Sequence, residues 1–363
     1  MDYGYKLSSV DGKVVSDRDY VVCIDVEERA SFVILNLTDI QLASSDVRDA
    51  TEDYTFAMAS MERLASAVKP DLITVTGDQC YGDRLAFFAV CDKIESFGIP
   101  WAPIIGNHDC EQRDITLEDQ YAAYKAYPHC LFKDGPVLAH VRERNAKALG
   151  HYVVNLVRVS DSGFNVVRSL IFMNAGSWQS YDGDEYKGRK RYGKTDYQSL
   201  NSSQISWYAD MVRSVQGSPS GLYLHMAPFV FIEAAGEAFN VSSDVFDYEA
   251  FVKETSAISY QESFGTACWK PGYEDSYGVV HEAFCGAPYD EGLFSVVKEL
   301  GGTDYIITAH DHVNNFNIRY QGVNLIYAMK TGKSCYADPE MMGATVVTIA
   351  SDGSASFENI LDL

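Results

Sequence analysis

Three runs between residues 31 and 109 decide the fold. They are Ser31-Phe32-Val33-Ile34-Leu35-Asn36-Leu37-Thr38-Asp39-Ile40-Gln41, Leu72-Ile73-Thr74-Val75-Thr76-Gly77-Asp78, and Trp101-Ala102-Pro103-Ile104-Ile105-Gly106-Asn107-His108-Asp109. Each is a short apolar run that closes on polar residues, the pattern of a buried strand ending in a loop. Between the first two, Met58, Met61, Leu64, Ala65 and Val68 recur at helical spacing, and Pro70 ends that helix. A second helix is predicted over residues 84–97, with Gly98 as its C-cap and Pro100 beyond. The order β-α-β-α-β implies an α/β fold with parallel strands joined by right-handed crossovers, and ligands in such sheets bind beyond the carboxyl ends of the strands. Asp39, Asp78, Asn107 and His108 are therefore expected together.

Two later runs repeat the device. Leu222-Tyr223-Leu224 leads to His225, and Tyr305-Ile306-Ile307-Thr308 leads to Ala309-His310-Asp311-His312. Residues 153–159 and 166–173 read as a strand pair, and residues 203–215 as a helix. Residues 324–328, 344–349 and 355–360 read as strands, the last two joined at Asp352-Gly353. Residues 1–28 read as an N-terminal hairpin extension, 13–15 against 20–24, packed on a single domain of residues 29–363. The long aromatic and acidic stretch 229–292 is expected to form loops walling the site.

A chain of 363 residues with 47% hydrophobic content can bury a substantial core, and no linker or repeat divides it. A net charge of -22 disfavours nucleic acid and anionic lipid. The eight cysteines form no CxxC pair and read as reduced thiols. The start of the chain lacks a charged region followed by an apolar one, and no apolar run approaches the ~18 residues of a membrane span. The expectation is a cytoplasmic protein with no membrane or nucleic-acid partner.

Alone, Asp39 or Gly77-Asp78 reads as a turn or cap, and His225 as a core histidine. Jointly, five such motifs after five strands specify one site. Carboxylate, amide and imidazole without thiolate suit hard or borderline ions such as Mn, Zn or Fe. Two ions about 3.5–4 Å apart would generate a metal-bound hydroxide and neutralise a phosphoryl group. Asp39, Asp78 and His312 are assigned to one ion; Asp78, Asn107, His225 and His310 to the other, with Asp78 bridging. His108 would reach the phosphoryl group, and Asp109 would orient it. This chemistry predicts a metal-dependent phosphate-ester hydrolase, a monoesterase first and a diesterase second, with a small molecule or phosphoprotein as substrate. His129, His140, His151 and His281 lack motif context and read as structural or surface residues; Trp178 and Trp207 read as core.

The series resembles the calcineurin-like metallophosphoesterases, whose motifs are DxH, GD, GNH(D/E), a later lone His and GHxH. The segment Ala309 to Phe316, followed by Tyr327 and Lys330-Thr331-Gly332, is similar to a subgroup of purple-acid-phosphatase-like fungal and plant enzymes. The resemblance covers residues 30–350 and implies a four-layer αββα sandwich of two mixed sheets flanked by helices. Two departures stand out. Ala309 replaces the glycine of GHxH, and Gln41 replaces the histidine of DxH; Gln41 is a candidate metal ligand through its amide oxygen, a weaker one than imidazole, which loosens the first metal site and opens the reading of a non-catalytic binding module. The run Gly77-Asp78-Gln79-Cys80-Tyr81 matches the GDxxY of purple acid phosphatases, so Tyr81 is either an Fe(III) ligand beside a divalent ion or, more simply, a wall aromatic.

Overall fold

The structure, a computed structural model, describes residues 5–27, 29–136, 138, 150–161, 163–180, 195–215 and 217–362. His140 lies outside the described residues. Ser31–Leu37, Leu72–Thr76 and Trp101–Ile104 run parallel, in the predicted order. Gly343–Ala350 pairs antiparallel with Ser31–Leu37 and carries Ala355–Leu361 at the edge, completing a five-stranded mixed sheet. The second sheet has eight strands, ordered Tyr277–Val280, Asn314–Tyr320, Val323–Tyr327, Thr303–Thr308, Ser220–Tyr223, Gly163–Phe172, Tyr152–Ser160 and Val21–Asp25.

Alternation along the eight-stranded sheet shows how the layers stack. Tyr152, Val154, Leu170, Phe172, Tyr223, Tyr305 and Ile307 share a core with Ile34, Leu35, Ile73 and Val75 of the five-stranded sheet. Their neighbours Val153, Ile171, Leu222, Leu224 and Ile306 share another core with Ile205, Tyr208 and Val212 of helix Ser202–Ser214 and with Phe231, Leu293 and Val297. Side chains of period two thus bury both faces of this sheet, one against its partner sheet and one against helices. Helices Glu52–Val68 and Arg84–Glu95 cover the five-stranded sheet, supplying Met61, Leu64, Phe87, Val90 and Ile94 to its core. The first of these starts where the Thr51 hydroxyl accepts the N–H of Tyr54, and stops at Lys69, which turns left-handed at φ 53° before Pro70.

Two expectations are corrected here. Residues 13–15 and 20–24 do not pair with each other. Lys13–Ser16 folds back on Leu7–Val10 through the Asp11-Gly12 turn, whereas Val21–Asp25 joins the large sheet parallel to Tyr152–Ser160. Residues 229–292 are also not mainly wall loops. Helices Val230–Ala238 and Tyr248–Thr255 pack on the large sheet, and Tyr277–Val280 is its edge strand. The end of this stretch meets the ligand loops, through Glu282, Cys285 and Ala287 among others. No described helix is long and apolar enough to cross a membrane, and all eight cysteines are free thiols.

His151 is fully buried, with Nδ1 accepting the Asn174 N–H at 3.3 Å and the ring packed on Trp207. Burial pushes its pKa down to about 3. The unfolded chain therefore binds a proton that the folded chain refuses between pH ~6.5 and ~3. The stability that neutral His151 contributes is complete above that window and falls by about 1.4 kcal/mol per pH unit inside it. Denaturant melts of His151→Gln should lose one proton's worth of that slope; an unchanged slope would contradict the assignment.

Candidate metal centre

The five motifs meet where the carboxyl ends of the two sheets lie side by side. Within the small sheet, Asp39 N–H donates to the Gly77 carbonyl at 3.2 Å and Gln41 N–H to the Asp78 carbonyl at 3.0 Å. From the large sheet, Ala309 N–H donates to the His225 carbonyl at 2.8 Å, setting His310 beside His225. Two glycines permit this approach. A Cβ on Gly106 would lie 2.1 Å from Asp78 Oδ1, and one on Gly77, whose φ is +91°, would lie 2.7 Å from His225 Nδ1. Among the described residues eleven non-glycine positions have positive φ, and Asp39, Gln41, Asp78 and His310 are four of them. Such concentration of strained backbone is typical of a functional site.

One group of donors is fully assembled. Ligand atoms of Asp78, His225 and His310, all buried, lie within 4.8 Å of one another. His225 Nε2 is 3.2 Å from Asp78 Oδ2 and 3.1 Å from Asn107 Oδ1, while its Nδ1 donates to the Thr76 carbonyl at 2.7 Å. That last bond fixes the tautomer and turns the Nε2 lone pair towards the two oxygens, so only a cation or an added proton satisfies all three atoms. Burial alone would lower the pKa of His225, but the charges of Asp78 and Asp39 raise it to about 9. Asp78 is the reverse case. Burial would raise its pKa, yet His225, His108 and His310 hold it below the usual carboxylate range. Asp78, Asn107, His225 and His310 fit a divalent ion by donor type and by this unmet demand for positive charge.

The other group is less complete. Asp39 Oδ2 accepts from the Thr38 hydroxyl at 2.9 Å and the His310 N–H at 3.3 Å, which leaves Oδ1 buried without a hydrogen-bond partner. His312 faces it with Nε2 at 3.7 Å, its Nδ1 donating to the Tyr336 carbonyl at 3.1 Å. Gln41, the fourth expected donor, presents its amide nitrogen to Asp78 Oδ2 at 3.4 Å. Its oxygen accepts from Lys330 Nζ at 2.8 Å, and the same ammonium donates to the Asp39 carbonyl at 2.7 Å. In this arrangement Gln41 is not placed as a metal ligand.

His108 and Asp109 divide their expected roles differently. Asp109 gives both oxygens to the backbone, accepting the N–H groups of Asp78, Gln79, Cys80 and Gly106 at 2.9–3.1 Å. It ties the second ligand loop to the third and does not orient His108. The carboxylate behind His108 is Glu111, whose Oε1 lies 2.5 Å from His108 Nδ1. The His108 N–H donates to Asp78 Oδ1 at 2.8 Å, and its side chain is 29% exposed at the rim. Tyr81 has the contacts of a wall aromatic: edge-on to the His108 ring at 4.9 Å and under the Arg113 guanidinium at 4.6 Å, with the Cys335 thiol close to its hydroxyl. Burial and that thiol push the phenol above its ordinary pKa. Trp178, expected in the core, is 39% exposed and stacks on Tyr197, which in turn stands against His310 at 4.5 Å.

Sequence reading missed Glu111, Lys330, Tyr197 and Tyr336. Glu111 had a signal, since it sits three residues after His108 where the chain makes a single 3₁₀ turn, Asp109–Glu111, that brings i and i+3 together. Lys330 had half a signal, its place in the run Lys330-Thr331-Gly332 just beyond the buried strand Val323–Tyr327. The two acids beside His108 separate by experiment. Glu111→Gln should lower kcat about 10- to 100-fold at unchanged metal content, as expected for losing the carboxylate behind a working histidine. Asp109→Asn should lower both metal content and stability, the latter by about 2–4 kcal/mol. Equal behaviour of the two variants would contradict this division.

The calcineurin-like phosphoesterase profile matches residues 32–314. Probable inactive purple acid phosphatase 14 of Arabidopsis thaliana is 26% identical over 323 residues, which cover 84% of this chain and 71% of that protein. Phosphatase DCR2 of Saccharomyces cerevisiae is 25% identical over 167 residues, covering 42% and 28% of the two chains. A dimetal phosphatase from Danio rerio has the same fold, with a TM-score of 0.51 at 11% identity over 91% of this chain and 96% of that one. The chain belongs to the calcineurin-like phosphoesterases, a family of metal-centred phosphoester hydrolases with the αββα fold.

Proposed function

We propose that the chain hydrolyses phosphate esters of small molecules or phosphoproteins, monoesters before diesters, with Mn, Zn or Fe at the centre. The observation that carries this reading is His108, a partly exposed imidazole backed by Glu111 and joined through its own amide to the buried carboxylate Asp78. Asp78, Asn107, His225 and His310 would hold a divalent ion, which would supply Lewis acidity to the phosphoryl oxygens and activate water for attack. The chain's own groups do the rest. Thr76 and Tyr336 hold His225 and His312 in the tautomers that present Nε2 inward. His108, with Nδ1 on Glu111, keeps Nε2 for the ester and gives its proton to the leaving oxygen. Lys330, His108 and the bound ion together favour a dianionic monoester over a singly charged diester.

A catalytically silent binding module is the second reading, favoured by the Gln41–Lys330 contact and in keeping with the Arabidopsis relative being called a probable inactive phosphatase. The deciding assay compares para-nitrophenyl phosphate with bis-para-nitrophenyl phosphate in added Mn, Zn or Fe, with Asp78→Ala as blank. The expected result is turnover of the monoester that Asp78→Ala abolishes. His108→Ala should retain metal and lose about 10²–10³ in kcat, the scale of one transition-state donor. Preference for the diester would move the assignment to a phosphodiesterase of the cyclic-nucleotide or glycerophosphodiester type. No turnover of either ester would establish the binding module.

A further inference from the structure

The family's centre holds two ions, and one half of it differs here at Gln41, whose amide oxygen is held by Lys330. Lys330 is 2% exposed and follows strand Val323–Tyr327. Its backbone is locked beside the first ligand loop: Thr331 N–H donates to the Thr38 carbonyl at 3.0 Å, Thr38 N–H donates to the Thr331 hydroxyl at 3.2 Å, and Gly343 N–H donates to the Lys330 carbonyl at 2.9 Å. Gly332 packs so closely that a Cβ there would lie 2.4 Å from the Ile40 carbonyl oxygen. The ammonium is therefore held against Asp39 and Gln41 by the fold, and it takes up the amide oxygen that would have faced an ion.

We propose that the Gln41–Lys330 pair makes the centre asymmetric: one ion is held tightly by Asp78, Asn107, His225 and His310, and the Lys330 ammonium supplies fixed positive charge where a second ion would otherwise be needed. Asp39 Oδ1, His312 Nε2 and the shared Asp78 remain to hold a second ion, but without the imidazole at position 41 and beside a like charge. A missing ligand and a neighbouring cation both weaken binding, and together they separate the two affinities by about a hundredfold or more. The inference rests on the reading of this site as a metal centre, and its test keeps the two apart.

The chelator-stripped full chain is titrated with Mn(II), following bound metal by equilibrium dialysis and the electron paramagnetic resonance spectrum of the bound ion. Wild type should bind one equivalent with the spectrum of an isolated ion and the second at least about a hundredfold more weakly. The double variant Gln41→His with Lys330→Met should bind two equivalents with affinities within about tenfold, and should show the spectrum of a spin-coupled pair. The wild-type measurement needs no variant, so misfolding of the double variant does not shield the proposal. Two equivalents of similar affinity and a coupled spectrum in wild type would overturn it, as would a folded double variant that keeps the wild-type separation. Binding of no Mn(II) at all would overturn the metal-centre reading itself.

Discussion

A carboxylate can be buried only if positive charge or hydrogen-bond donors come with it, and Asp78, with no exposure, is the point from which the site is organised. Its Oδ1 takes the His108 N–H, and its Oδ2 faces His225 and Gln41. Gly106 and Gly77 are small so that this carboxylate and His225 can occupy the space between the two sheets. Asp109 holds the loop that presents it, through four backbone amides. The left-handed backbone at Asp39, Gln41, Asp78 and His310 follows from bringing four polar residues inward at strand ends where no regular turn would point them together.

Most of this was legible in the sequence because it is local. Strand runs ending in Asp39, Asp78 and Asn107-His108 specify both the parallel sheet and the edge where its donors emerge, and the two later histidine motifs follow the same grammar. What was not legible depends on distant partners or on packing. Gln41 reads as a weak ligand until Lys330, 289 residues later, is seen to hold its oxygen. Asp109 and Glu111 are both acids near His108, and sequence order alone favours the wrong one; a single 3₁₀ turn reverses the choice.

The misread segments have physical explanations of the same kind. Asp11-Gly12 is a strong two-residue hairpin signal that pairs Lys13–Ser16 backwards with Leu7–Val10, freeing Val21–Asp25 to extend the large sheet. In residues 229–292 the acidic and aromatic composition suggested exposed loops. The apolar spacing of Val230, Phe231, Ala234, Ala235 and Ala238 was nevertheless that of a buried helical face, and all five are buried. Composition describes the surface of a segment, whereas spacing describes its core, and here spacing was the better guide.

Charge compensation at Asp78 is tested most directly by thermal unfolding of wild type and Asp78→Asn, each with chelator and with saturating Mn(II). An ion that binds the folded chain at a thousand times its Kd adds about 4 kcal/mol of stability. Wild type should therefore melt several degrees higher with the ion than with chelator. Asp78→Asn, which keeps the shape but removes the charge that His225, His108 and His310 compensate, should melt no higher than wild type in chelator and respond little to the ion. A wild-type melting temperature indifferent to every divalent ion, or an Asp78→Asn variant that responds as wild type does, would contradict the central role given to this carboxylate.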